Sequence, residues 1–204
     1  ITAFGPPSRF THFCVSTLKK ALSVSKGVFD DVGAVEVSQL QHAWSNAKND
    51  VLFFYSDCPE RPIVETYLKT KAPILLVVDD PADVTSDIIC ERGMAPDWAY
   101  RLTEQSQTIL SCLIGSKQSL VIQKHHCTTL DSFLKSASDH FNLNLTNTDC
   151  ANVAAQLGAT APEGLSQSIQ VLCDDIFAKE NPQTPSQYQE FPPHIESLFD
   201  HLGR

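Results

Sequence analysis

The chain alternates short apolar runs with longer amphipathic stretches. The strongest run is Ile74 to Val78, ILLVV, an unbroken β-branched and aliphatic segment. It is too short for a helix and lacks apolar/polar alternation, so it predicts a strand buried on both faces. It stops at Asp79-Asp80-Pro81, and Asp83 is the expected N-cap of a helix reaching Glu91. A second buried strand is predicted at VLFFY, residues 51–55, ending in Ser56-Asp57-Cys58-Pro59. Ile1 to Phe4 forms a short apolar start broken by Gly5-Pro6-Pro7, after which Phe13, Val15, Leu18 and Leu22 recur at helical spacing to about Ser25.

Between these, Val32 to Val37 reads as a weak strand and Ser38 to Ala47 as a helix capped by Ser38. Glu60 to Thr70 is helical, turning Ile63, Val64, Tyr67 and Leu68 inward. Trp98 to Ile114 predicts a long helix closed by Gly115, with Ala99, Leu102, Ile109, Leu110 and Leu113 buried. Ser119 to Gln123 adds a strand, and Thr129 to Phe141 an amphipathic helix. Such regular alternation specifies a three-layer α/β fold on a parallel sheet. In these sheets ligands bind beyond the carboxyl ends of the strands, which here places Asp79, Asp80 and Pro81 at the candidate edge.

Beyond Leu145 the texture becomes rich in Asn, Thr and Gln. Two shorter helices are expected, near residues 149–157 and 165–178, before NPQTPSQYQEFPP, whose composition cannot build a core and predicts a tail laid over the domain. His194 to Leu202 closes as a small amphipathic helix. The expected division is an α/β domain over 1–146 and a helical appendage with tail over 147–204.

Composition narrows the function classes. A formal charge of −9 argues against broad binding to nucleic acid or anionic membrane, which rests on clustered Lys and Arg. No apolar run approaches the roughly 20 residues of a membrane span. The start, ITAFGPP, has neither a basic n-region nor a cleavage site, so a secretory leader is not expected. Seven scattered cysteines without a CxxC pair predict a reducing, cytoplasmic compartment.

Several segments carry potential chemistry. The strand–loop–helix over residues 1–25 has the order of a phosphate cradle, because a helix N-terminus offers N–H groups and a positive dipole end. Its loop is poor for that purpose, with one early glycine and two prolines that lack N–H donors. Cys58-Pro59 after a strand suggests a thioredoxin-like redox cysteine, but no resolving Cys stands at Arg61. Lys124-His125-His126-Cys127 contains metal-ligand types, yet adjacent strand residues face opposite ways. Asp79, Asp80, Asp83 and Asp87 could supply oxygen ligands to a divalent cation, although such runs more often form a solvated loop and helix cap.

Taken together, FGPPSRFTHF, VLFFYSDCP, LLVVDDPADVTSDII, and LVIQKHH with DSFLKSASDHFNLNL resemble, in order and spacing, four segments of the sulfotransferase family, a branch of the P-loop fold. The resemblance covers residues 1 to 146. It implies a P-loop-like domain whose first loop holds the 5′-phosphosulfate of 3′-phosphoadenylyl sulfate, with Ser8, Arg9 and Thr11 as donor contacts. It also places Asp79 and Ser86 among the donor contacts and Asp57 where the family often has a His base.

The departures fall on the chemistry. Pro7 stands at the cationic position, Arg9 at a glycine, and Asp79 where an Arg helps bind the 3′-phosphate. A carboxylate beside a phosphate is repulsive, by roughly 1 kcal/mol at 4 Å in water and severalfold more when shielded from it. Asp57 could act as a base only with a pKa well above its usual value near 4. The expectation is a degenerate, non-catalytic member with no cofactor, serving as a binding or assembly subunit. Its partner would be a protein, with self-association left open. The alternative is a diverged sulfotransferase using 3′-phosphoadenylyl sulfate on a hydroxyl or amine acceptor.

Overall fold

The computed structural model describes residues 1–33, 42–57, 59–126, 129–159, 163–180 and 191–202. Five parallel strands form one sheet: β1 (Thr2–Phe4), β2 (Asp30–Gly33), β3 (Leu52–Ser56), β4 (Ile74–Val78) and β5 (Ser119–Gln123), in the order β2-β3-β1-β4-β5. Thr2, Ala3 and Phe4 of β1 lie in register with Phe54, Tyr55 and Ser56 on one side and with Ile74, Leu75 and Leu76 on the other. The three strand ends that matter most for the site, β1, β3 and β4, are therefore neighbours at one edge.

Strand geometry sends successive side chains to opposite faces, and the two cores follow that alternation. Ala3, Phe53, Leu75, Val77 and Ile122 face a core shared with α1 (Arg9–Lys26) and α5 (Leu130–Phe141). The helices α6 (Asn147–Gln156) and α8 (Ile169–Glu180) join that core through Cys150, Val153, Ala154, Ile169, Leu172 and Cys173. Phe4, Phe54, Ile74 and Leu76 face the other way, onto α2 (Arg61–Thr70) and the end of α4 (Pro96–Leu110). There Phe54 stacks on Tyr67 at 4.8 Å and Phe4 meets both rings edge-on. A three-layer α/β fold is the result, and β4, the organising run, is buried along nearly its whole length.

Several boundaries differ from expectation. The helix after β4, α3, spans Pro81–Arg92, and its N-cap is Asp80 rather than Asp83: the Asp80 side chain accepts from Ala82 N–H at 2.8 Å. Proline at the first helical position explains the earlier start, since its fixed φ suits the helix and its missing N–H is not needed there. The predicted 98–114 helix begins earlier at Pro96 and tightens into a 3-10 turn at Ser111–Leu113. Its buried face includes Tyr100, Thr103 and Ser106, because a Thr103–Thr85 hydroxyl contact at 2.9 Å joins it to α3. Strand β2 is found at 30–33, two residues before the expected start. Residues 38–41 of the predicted 38–47 helix lie outside the described residues, and 42–45 are helical.

Beyond residue 146, α6 starts in a capping box in which Thr146 and Asp149 satisfy each other's backbone N–H groups. A single helical turn, α7 (Glu163–Ser166), precedes α8. The last helix, α9 (Pro193–Leu202), sets Ile195 and Phe199 against Ala82 and Tyr100. Of the predicted tail, residues 181–190 lie outside the described residues, and Phe191 packs on Phe199 at 5.0 Å. Among the described residues no helix is long and apolar enough to cross a membrane.

Candidate functional site

The site is built at the carboxyl edge of the sheet, where the loop after β1 meets the ends of β3, β4 and β5. Gly5 lets that loop pass closely over its neighbours. A Cβ there would stand 2.5 Å from Thr11 Cγ2 and 3.1 Å from Val77 Cβ, so no larger residue fits without moving the loop. Ser8 then caps α1. Its hydroxyl oxygen accepts from Thr11 N–H at 3.2 Å and its O–H donates to Thr11 Oγ1 at 3.1 Å. Both side chains are buried.

Arg9 opens α1 and is clamped by Asp87 of α3. The Arg9 backbone N–H donates to Asp87 Oδ2 at 2.8 Å, and the Arg9 Nε donates to Asp87 Oδ1. A carboxylate from within the chain thus sits on the helix N-terminus, the place where a dipole and free N–H groups favour an anion. The Arg9 guanidinium also lies 4.1 Å from the centre of the Phe177 ring.

Asp79 follows β4 and its side chain is fully buried. Oδ1 accepts from Asp80 N–H at 2.8 Å and faces the Lys124 ammonium at 3.6 Å. Oδ2 is buried without a hydrogen bond at normal distance, as the Ser8 hydroxyl beside it donates to Thr11. Burial pushes the Asp79 carboxyl up to about 6, against the opposing pull of Lys124 and Ser8. Lys124, at the end of β5, donates to Asp83 at 2.8 Å as well. Burial opposes its charge, but Asp79 and Asp83 together outweigh that cost and raise its pKa. The two directions agree physically: one ammonium shared by two carboxylates is well compensated, while the deeper carboxylate receives only part of one cation.

Asp57, after β3, is approached by Arg92 at 3.0 Å and by the His12 ring at 3.7 Å. His12 chiefly, with Arg92, outweighs partial burial and holds the carboxyl below its usual range. A general base at this position needs the opposite shift. His12 is correspondingly held above its usual value, first by Asp57.

The expected donor contacts are thus spread over different environments. Ser8 and Thr11 bond each other, Arg9 is paired with Asp87, Asp79 faces Lys124, and Ser86 is buried within α3. The acidic run does not converge on a cation site: Asp79 and Asp83 meet Lys124, Asp80 caps α3 and lies 3.6 Å from His125, and Asp87 holds Arg9. Cys58 and Cys127 lie outside the described residues.

Asp87 and Lys124 as ion-pair partners, and His12 beside Asp57, were not anticipated from sequence. The spacing of Asp79, Asp83 and Asp87, each four apart, does put the last two on one helix face. Their cationic partners, however, come from positions 9 and 124, far away in the chain.

A parallel five-stranded sheet with flanking helices and this strand–loop–helix opening defines a sulfotransferase-like α/β fold of the P-loop kind. Among solved structures the chain is similar to the mouse sulfotransferase SULT7A1 complexed with PAP, with a TM-score of 0.65 at 10% sequence identity. The match covers 99% of this chain and 81% of that one. No family model and no curated protein matches the sequence.

Proposed function

We propose that this chain is a sulfotransferase-like domain without transferase activity that serves as a binding or assembly subunit. The observation carrying this reading is the seat of Asp87: one carboxylate takes both the first N–H of α1 and the guanidinium that could have replaced the family's lost cation. A donor phosphate at that helix end would have to displace a buried internal anion and meet Asp79 nearby. Like charges a few ångströms apart in a shielded site repel by several kcal/mol. The lowered pKa of Asp57 also removes the driving force for proton abstraction there.

The partner in this reading is a protein or a second copy of the chain. Trp98, 64% exposed on α4 with the Arg101 guanidinium 5.4 Å from its ring centre, is of the side-chain types that anchor protein interfaces. The compartment is the cytoplasm, in keeping with the buried free thiols of Cys150 and Cys173. Calorimetric titration with 3′-phosphoadenosine 5′-phosphate, the desulfated donor product, tests the reading. The expected result is no heat of binding at millimolar ligand. Saturable binding that disappears in Arg9→Ala would overturn it and restore the alternative, transfer from 3′-phosphoadenylyl sulfate to a hydroxyl or amine.

A further inference from the structure

Beside the clamped loop lies a cleft of about 400 Å³ between α1, α8, the end of α6 and Glu91 of α3. One wall is a single face of α1, where Arg9, His12, Ser16 and Lys20 follow at helical spacing. The opposite wall is apolar, made by Leu157, Ile176 and Phe177 together with the neutral thiol of Cys173, whose pKa burial pushes up to about 12. The volume is in the range of small-molecule sites, and the lining sets an apolar wall against a polar, charged one.

The charges on the α1 wall are unequally answered. Asp87 neutralises Arg9 through Nε and leaves its two terminal nitrogens without a hydrogen bond among the described residues. Asp57 answers His12. Lys20 makes no ion pair among the described residues, unlike Lys19, which pairs with Asp31 at 2.5 Å. Glu91 is the one acid lining the cleft among the described residues, and burial holds its pKa above the usual value. Lys20 therefore supplies uncompensated positive charge one turn from Ser16, in a chain whose formal charge is −9.

We infer that this cleft binds an organic carboxylate with a flat apolar body, its head group between Lys20 and Ser16, one helical turn apart on α1, and its body against the apolar wall. The inference stands independently of the non-catalytic reading, since it uses no donor nucleotide and no transfer step. A charge-assisted contact from Lys20 fixes the head, while the apolar wall rewards a ring.

The test is calorimetric titration of the full chain with naphthalene carboxylate, with naphthylmethanol as the uncharged control. Saturable one-site binding is expected for the carboxylate, and binding at least about tenfold weaker for the alcohol. Lys20→Met should weaken the carboxylate about tenfold. Ser16→Tyr, at an exposed position, should fill the cleft and abolish binding. No heat at millimolar carboxylate, equal affinity for the alcohol, or an unchanged Lys20→Met would each overturn the inference. So would displacement of the carboxylate by 3′-phosphoadenosine 5′-phosphate, which would make the cleft a nucleotide site; the nucleotide titrated alone reports separately on the non-catalytic reading.

Discussion

Asp79 stabilises the fold less than its ion pair with Lys124 suggests, and Asp79→Asn measures the difference. Burial lifts this carboxyl from its ordinary value near 4 to about 6. Between those two values the folded chain keeps a proton that the unfolded chain has released, so stability falls as pH rises through the window. Above the folded pKa the cost of ionising the buried group is fully present; below the unfolded pKa it is absent. At 1.36 kcal/mol per tenfold, a rise of that size corresponds to about 3 kcal/mol.

Asn keeps the shape of the protonated acid, and Lys124 retains Asp83 at 2.8 Å. The variant should therefore be more stable than the parent near neutral pH, by up to about 3 kcal/mol, or roughly 6–12 °C in Tm for a chain of this size. The gain should shrink as pH falls through the window and vanish near pH 4. Denaturation monitored by far-UV circular dichroism across pH supplies the curve. A lower Tm for Asp79→Asn at neutral pH would refute the reasoning, because it would mean that the attraction to Lys124 exceeds the desolvation of the carboxylate.

Three further outcomes follow from the site and its supports. Gly5→Ala should destabilise the chain by about 1–3 kcal/mol in chemical denaturation, since the new methyl meets Thr11 and Val77 at overpacked distances. Asp57→Asn should lower the His12 pKa toward its ordinary value in an NMR titration, since Asp57 is the main group holding it up. Because a raised His pKa contributes stability that is present below the unfolded value and lost as pH rises through the folded one, the variant's stability deficit should shrink as pH rises through the His12 pKa, leaving the part due to Arg92, which pairs with Asp57 at 3.0 Å. Thr146→Ala should cost about 1 kcal/mol by removing the capping box that starts α6.

The layers of the fold were legible in local pattern. ILLVV, VLFFY and the 9–26, 61–70 and 130–141 helices announced themselves, because burial on one face or two leaves a period that residues near in sequence can display. The likeness of four short segments to sulfotransferases agreed with a fold that overall sequence identity of 10% does not convey. The acidic run from Asp79 to Asp87 was equally visible, though not its purpose.

Tertiary structure decided the purpose of that run. Whether four carboxylates gather a cation, repel a phosphate or neutralise the chain's own cations depends on which distant groups the sheet brings alongside them. Arg9 lies 78 residues from Asp87, and Lys124 lies 41 from Asp83. Periodicity describes one segment's own faces and says nothing of such pairings, which arise only when β1, β4 and β5 align their carboxyl ends. Sequence alone indicated which segments form strands and helices and which edge carries the polar residues; packing determined that a carboxylate of the chain itself holds the first N–H of α1.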